Sequence, residues 1–253
     1  MKKIVLSLVC AMSLSFSSTL KDGNEAYENN DYAKALKIYE ELASKGDLEA
    51  KHNIGVMYNN GKGIDKDYKK AFDLFEKIAN KGISPTQYNL GVMYEYGQGV
   101  KQDYKKAFEW YEKAANQGNT NAQYKLAKFY SDGKGVNQDS KKAFELYEKA
   151  ANEGNSNAQE YMGKVYYDKK DYIKAFEWYE KSANQGNTNA QYILGKMYSE
   201  GQGVKQDYKK AFELYEKIIV LIYFSNKLHE LKYELNEKEF NLIGNESILP
   251  LGY

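Results

Sequence analysis

Residues 90–107 read Leu90-Gly91-Val92-Met93-Tyr94-Glu95-Tyr96-Gly97-Gln98-Gly99-Val100-Lys101-Gln102-Asp103-Tyr104-Lys105-Lys106-Ala107. A small residue beside an aliphatic one, a tyrosine, paired glycines and a phrase ending in Lys-Ala follow in order. The wording comes back along the chain. The alanine of the phrase DYxKAL/F recurs at Ala35, Ala71, Ala107, Ala143, Ala175 and Ala211, in steps of 36, 36, 36, 32 and 36. A second marker, glycine, keeps the same phase at Gly46, Gly82, Gly118, Gly154 and Gly186. Such a period is the mark of a repeat architecture.

Each unit reads as two helices. In one copy the first runs from Asn121 to about Ser131, with Leu126, Ala127 and Tyr130 at helical spacing. Gly133 and Gly135 break it, because a helix C-terminus commonly needs a residue at positive φ. The second starts at Asp139, a good N-cap, carries Ala143, Phe144, Leu146, Tyr147, Ala150 and Ala151, and stops at Gly154. Acid-before-lysine pairs at i,i+4 lace its outer side, namely Asp73–Lys77, Glu109–Lys113, Glu145–Lys149, Glu177–Lys181 and Glu213–Lys217. The 32-residue step falls where Tyr167-Asp168-Lys169-Lys170-Asp171 replaces the glycine loop, and Tyr27-Glu28-Asn29-Asn30-Asp31 gives the first unit the same short form. One hairpin cannot bury its apolar stripe alone, so the units must stack into an all-α solenoid of about six helix–turn–helix repeats of 32–36 residues.

The remaining composition narrows the chemistry. In 253 residues Lys+Arg is 36 and Asp+Glu is 35, without the basic excess that nucleic-acid binding draws on. Two histidines (His52, His229) and one cysteine (Cys10) supply no His/Cys metal cluster, disulfide framework or Cys–His dyad. No cofactor is expected. Two prolines against 25 tyrosines suit helices packed by rings.

Residues 1–17 read as an export signal, with Lys2 and Lys3 before the apolar stretch Ile4 to Phe16 and small residues at Ser15 and Ser17 for cleavage near Ser17. The apolar run is short of the ~20 residues a membrane span needs. The mature chain is thus expected to be periplasmic or secreted, without a transmembrane span. Val9 is bulky where a lipobox places Gly, Ala or Ser, which argues against lipidation at Cys10. The organisation read from the sequence is a signal at 1–17, a short N-terminal repeat at 18–46, repeats at 47–217 and a divergent tail at 218–253. In that tail Ile218 to Phe224 are apolar, and Leu228, Leu231 and Leu235 recur at helical spacing. A helical cap over the open end of the solenoid is one reading and a shifted reading frame the other.

The phrase from Leu90 to Ala107, with similar phrases beginning at Ile54, Leu126 and Leu194, resembles the Sel-one-like repeat, a longer-looped relative of the tetratricopeptide repeat. The short units resemble plain tetratricopeptide hairpins. The resemblance covers about residues 22–217 and implies a right-handed superhelical solenoid acting as a scaffold, with a concave groove lined by the first helix of each hairpin. Carried over unit by unit, it gives groove columns of His52, Tyr88, Tyr124, Glu160 and Tyr192; of Asn53, Asn89, Lys125, Tyr161 and Ile193; of Val56, Val92, Lys128, Lys164 and Lys196; and of Asn60, Tyr96, Asp132, Asp168 and Glu200. Tyrosines among amides and mixed charges suit a protein or peptide partner. Gly55, Gly91, Ala127, Gly163 and Gly195 are read as close-approach positions, and Tyr58, Tyr94, Tyr130, Tyr166 and Tyr198 as packing rings.

One branch of the family, the Hcp-type cysteine-rich repeat proteins, implies an alternative function, β-lactam binding or hydrolysis. That branch staples each repeat with two cysteines eight residues apart. The matching positions here are Ala79 and Gln87, Ala115 and Gln123, Ala151 and Gln159, and Ala183 and Gln191. Ser131-Asp132-Gly133-Lys134 matches S-x-x-K in letters, but is read as inter-helix loop and has no K-T-G companion. His52 falls in a groove column with no serine or aspartate partner assignable from sequence, and no catalytic residue is assigned.

Overall fold

A computed structural model of the chain describes residues 18–220. The expected export signal and the tail from 221 onward lie outside the described residues. Among the described residues every regular element is helical. The order is α1 (Leu20–Glu28), α2 (Tyr32–Ser44), α3 (Leu48–Asn60), α4 (Tyr68–Ala79), α5 (Ser84–Tyr96), α6 (Tyr104–Asn116), α7 (Thr120–Asp132), α8 (Ser140–Asn152), α9 (Ser156–Asp168), α10 (Tyr172–Asn184) and α11 (Thr188–Glu200), with α12 at residues 208–220. The chain is an all-α solenoid. It divides into two compact units, one ending at Lys66 and one beginning at Asp67, and within each, successive helices pack on one another.

The helix starts follow from side chains that accept otherwise unpaired amides. Asp67, Asp103, Asp139 and Asp171 cap α4, α6, α8 and α10, and Asn119, Asn155 and Asn187 cap α7, α9 and α11. Helix α5 lacks a side-chain cap and has Pro85 in its first turn, where no intrahelical donor is lost. The paired glycines have separate jobs. Gly97 ends α5 at φ +69°, in the left-handed region. Two residues on, Gly99 lies so close to the Tyr68 carbonyl at the start of α4 that any Cβ would overlap it, and Gly135 meets the Tyr104 carbonyl in the same way. The second glycine is thus a contact between repeats as well as a helix breaker. In the short loops, Asn30 and Lys170 take positive φ at 60° and 62°.

The outer charges pair differently from the sequence expectation. Asp73 is held by the lysine before it, Lys69, at 2.7 Å, and Glu145 lies 4.0 Å from Lys141. Lys113 sits over the Trp110 ring at 3.8 Å and Lys181 over Trp178 at 4.3 Å, while Lys149 reaches Glu153 at 4.0 Å. An indole face draws a cation at little ordering cost, and exposed ion pairs contribute little either way.

The core is built from rings. In the second unit Phe72 meets Tyr94 edge-on at 5.5 Å, Phe108 meets Tyr130 at 5.4 Å, and Phe176 meets Tyr198 at 5.3 Å. A lysine from the following helix covers each of these tyrosines, Lys106, Lys142 and Lys210 lying 5.0–5.3 Å from the ring centres. Tyr94, Tyr130 and Tyr198, read as packing rings, do pack. The small positions also have a specific neighbour. A Cβ on Gly91 would lie 2.5 Å from the Tyr111 ring, one on Gly163 2.9 Å from Tyr179, and one on Gly195 2.7 Å from Tyr215.

At the positions where the cysteine-rich branch carries its staples, the second unit has a hydrogen-bonded ladder. Gln87 Nε2 donates to the Ala79 carbonyl of the preceding hairpin at 3.0 Å, and Gln117 Nε2, at the end of the second helix of its own hairpin, donates to Gln87 Oε1 at 2.6 Å. Gln159 repeats the pattern, donating to Ala151 at 3.1 Å and accepting from Gln185 at 2.7 Å. The rung at Gln123 is faulty. Glu153 stands where Gln117 and Gln185 stand in their repeats, and a carboxylate only accepts. Gln123 therefore turns its Nε2 to Glu153 at 2.8 Å, and its buried Oε1 has no partner. Glu153 also places a negative charge at the C-terminus of α8, against the helix dipole. Glu153→Gln lets the Gln123 amide turn round, donate to the Ala115 carbonyl and accept from the new amide. Since an unpaired buried acceptor costs ~1–3 kcal/mol, the substitution is expected to raise the unfolding free energy by about 1 kcal/mol, seen as a higher urea midpoint with an unchanged slope.

Candidate functional site

The residues expected to form the groove divide between the two units. In the first unit, α3 holds His52, Asn53 and Val56. Asn53 Nδ2 donates to Asn24 Oδ1 at 3.1 Å, and the same oxygen accepts from the Tyr39 hydroxyl at 2.8 Å. Asn24, Tyr27, Glu28, Tyr39, Asn53 and Val56 line a cavity of about 270 Å³. His52 is half-buried, and burial pushes its imidazole down to a pKa of about 4.

In the second unit the expected column Tyr88, Tyr124 and Tyr192 is held from behind by a matching column on the second helices. Tyr88 lies on Tyr111, Tyr124 on Tyr147 and Tyr192 on Tyr215, each at 5.7 Å between ring centres. The Tyr111, Tyr147 and Tyr215 rings cover the small residue of the first helix, so glycine or alanine at one position sets the seat of the tyrosine at another. Tyr161 stacks on Tyr147 at 3.7 Å. Glu160, expected beside these rings, instead accepts from Asn187 Nδ2 at 2.8 Å and Asn189 Nδ2 at 3.3 Å, which joins it to the N-cap of α11. Asn89 is half-buried on α5 and Lys128 is exposed on α7. Lys164 pairs with Asp168 at 3.0 Å, and Lys196 with Glu200 at 3.9 Å.

A residue the sequence reading passed over organises the centre of this face. Glu95 is buried on α5, takes the Tyr111 hydroxyl at 2.6 Å, and takes Lys125 Nζ of α7 at 2.9 Å. Lys125 also donates to the Tyr96 hydroxyl at 3.2 Å. Burial pushes the Tyr111 phenol well above the usual tyrosine range, and its bond to Glu95 pushes it further. Burial works against the Lys125 ammonium, but Glu95 and Tyr96 beside it more than offset this and hold its pKa above the ordinary lysine value. Deleting one partner of such a pair strands the other charge, at a cost of ~3–5 kcal/mol. The available signal was positional: Asn59, Ser131, Tyr167 and Ser199 occupy the equivalent places, so Glu95 is the one acid in that column.

The S-x-x-K letters are placed otherwise than expected. Ser131 is in the last turn of α7 rather than in the loop, and its carbonyl accepts from Gln138 Nε2 at 2.8 Å. Lys134 is paired with Asp132 at 3.2 Å.

The His52 shift has a pH signature. The unfolded chain binds a proton with pKa ~6.5 while the native imidazole stays neutral until about 4. The native state is therefore favoured fully above pH 6.5, and this contribution is lost as pH falls from 6.5 towards 4, with a ceiling of about 3 kcal/mol. An NMR titration should place the His52 midpoint near 4, and His52→Gln should flatten that part of the stability profile.

The Sel1 repeat model matches the chain six times, at residues 20–47, 48–83, 84–119, 120–155, 156–187 and 188–219. Among solved structures, a Sel1 repeat protein from Oxalobacter formigenes is 33% identical with a TM-score of 0.70, covering 78% of this chain and 82% of that one. The protective antigen c5321 of uropathogenic Escherichia coli, described as displaying an SLR fold, is 34% identical with a TM-score of 0.64; the match covers 78% of this chain but only 44% of that one. The immunity protein Pa5087 from Pseudomonas aeruginosa, at 24% identity and a TM-score of 0.55, shares the fold. No match is found among curated proteins. Six matched repeats, the stacked hairpins they describe and a third of the residues shared with a solved Sel1 repeat protein make this chain a member of the Sel1 repeat family.

Proposed function

We propose that this chain is an exported scaffold that holds a protein or peptide segment against the first-helix face of its second unit, formed by α5, α7, α9 and α11. Sel1 repeats generally mediate protein–protein interactions, and that coarse role belongs to the family. The observation that carries the finer reading is the repeated seat of Tyr88, Tyr124 and Tyr192, each fixed at the same 5.7 Å from a second-helix ring. A tyrosine held in place before a partner arrives loses little freedom on binding, and its ring and hydroxyl offer both apolar area and a hydrogen bond. Lys125, only 15% exposed and tied to Glu95, adds a fixed donor in the middle of the row. Nothing in the geometry or the comparisons favours the β-lactam alternative.

The test is capture from native envelope and culture fractions with the intact protein and with a Tyr88→Ala, Tyr124→Ala, Tyr192→Ala variant. The variant should keep its helical circular dichroism and lose the captured partner at least tenfold. Equal recovery by both would remove the face from consideration. Export is read from the leader alone, and N-terminal sequencing of the protein from those fractions should begin at Ser18.

A further inference from the structure

The repeat positions set an open cavity in the first unit against an occupied seat in the second. Gly23 meets Tyr39 as Gly91 meets Tyr111, which aligns α1 with α5 and α2 with α6. Asn24, Tyr27 and Glu28 then stand where Val92, Glu95 and Tyr96 stand, and Asn53 of the next hairpin stands where Lys125 does. In the second unit Lys125 crosses from α7 to the end of α5. Its ammonium donates to Glu95 at 2.9 Å and to the Tyr96 hydroxyl at 3.2 Å. These are the last two residues of α5, so the cation also meets the negative end of the helix dipole.

In the first unit the crossing side chain is missing. Asn53 is too short to reach the end of α1, and its Nδ2 stops at Asn24 Oδ1, at 3.1 Å. The space beyond is the cavity of about 270 Å³ lined by Asn24, Tyr27, Glu28, Tyr39, Asn53 and Val56. The carboxylate and the phenol of the lysine seat are both present, in exchanged order, as Tyr27-Glu28 for Glu95-Tyr96. They again close their helix, and the last turn of α1 carries no basic residue. Glu28 is exposed and forms no ion pair with a described residue. The Tyr27 and Tyr39 rings complete the wall, and aromatic faces attract an ammonium ion. The two asparagines distinguish a peptide from a free amine. Asn24 Oδ1 accepts from both Asn53 Nδ2 and the Tyr39 hydroxyl. Asn24 Nδ2 and Asn53 Oδ1 are left as one donor beside one acceptor, the complement of a peptide C=O and N–H.

We propose that this cavity binds the side chain of a lysine from a partner peptide, its ammonium on the Glu28 carboxylate and the Tyr27 hydroxyl and its backbone on Asn24 and Asn53. The seat lies wholly in the first unit and does not rest on the tyrosine row of the second. The test is an NMR titration of the full chain with the capped peptide acetyl-Gly-Lys-Gly-amide, with the same peptide carrying norleucine for lysine, and with n-pentylamine, followed at the side-chain amides of Asn24 and Asn53. The lysine peptide is expected to shift these resonances saturably and to bind at least tenfold more tightly than the norleucine peptide, and several-fold more tightly than the amine. Glu28→Gln, at an exposed position, should keep the helical circular dichroism and weaken the lysine peptide about tenfold, in line with the loss of a hydrogen bond to a charged group. Asn53→Lys supplies the resident lysine of the second unit and should abolish peptide binding. Equal binding of the norleucine peptide, amine binding as tight as the peptide's, full binding by either variant, or no shift with the lysine peptide overturns the proposal.

Discussion

The solenoid depends on an aromatic ring pressed against bare backbone. In the second unit Tyr111, Tyr179 and Tyr215 lie over glycines of the first helix at distances a methyl group could not share, and Tyr39 lies over Gly23 in the first unit. Two helices can thereby approach through a flat face instead of interlocking side chains. Large apolar area leaves water at each such contact, and the ring has only two torsions to immobilise. Where the small residue is alanine, at Ala127, the same seat holds Tyr147 within the core cluster of that repeat. Because the contact recurs with the period of the sequence, it sets the spacing of everything mounted on the helices, including the outward tyrosines backed by these rings.

Ring seats fix distance; polar contacts fix alignment. The glutamine ladder spaces neighbouring hairpins by hydrogen bonds in a buried setting, where an unmade bond costs more than a made one contributes. A slip between hairpins would strand Gln87 and Gln159 together with the carbonyls they reach. The Glu95–Lys125 pair works in the same way between α5 and α7. Buried ion pairs rarely add net stability, but a displaced one leaves two unpaired charges, so the pair opposes misalignment even where it stabilises little.

How much of this was legible in the sequence follows from which contacts are periodic. The hairpins, their lengths, the helix-breaking loops and the aspartate caps were readable because each leaves a mark at every repeat. The Tyr94, Tyr130 and Tyr198 rings were readable as packing for the same reason. The partner of each small residue was not, since Tyr111 and Tyr179 lie 20 and 16 residues away on the other helix of the hairpin and nothing local couples the two. The exposed charges were misread because a helix offers a lysine several neighbours at nearly equal energy. Three- and four-residue spacings serve carboxylates on either side, and an indole ring won at Trp110 and Trp178. Glu160 was placed correctly on its helix, but its bonds to Asn187 and Asn189 depend on how the next hairpin docks, which no spacing records.

The positions that break the period are therefore of a different kind from those that keep it. A perfectly regular solenoid presents the same surface at every step, and a segment lying along it finds equal seats in several registers and in either direction. Here the tyrosine column is interrupted by Glu160, in place of a fourth ring, and the Glu95–Lys125 pair interrupts the columns beside it. Each interruption is held by hydrogen bonds to the neighbouring hairpin, so it stays in place as the rings do. Regular contacts give such a face its rigidity. Departures from regularity give it a beginning, an end and a register, and a scaffold needs these to hold one partner in one way.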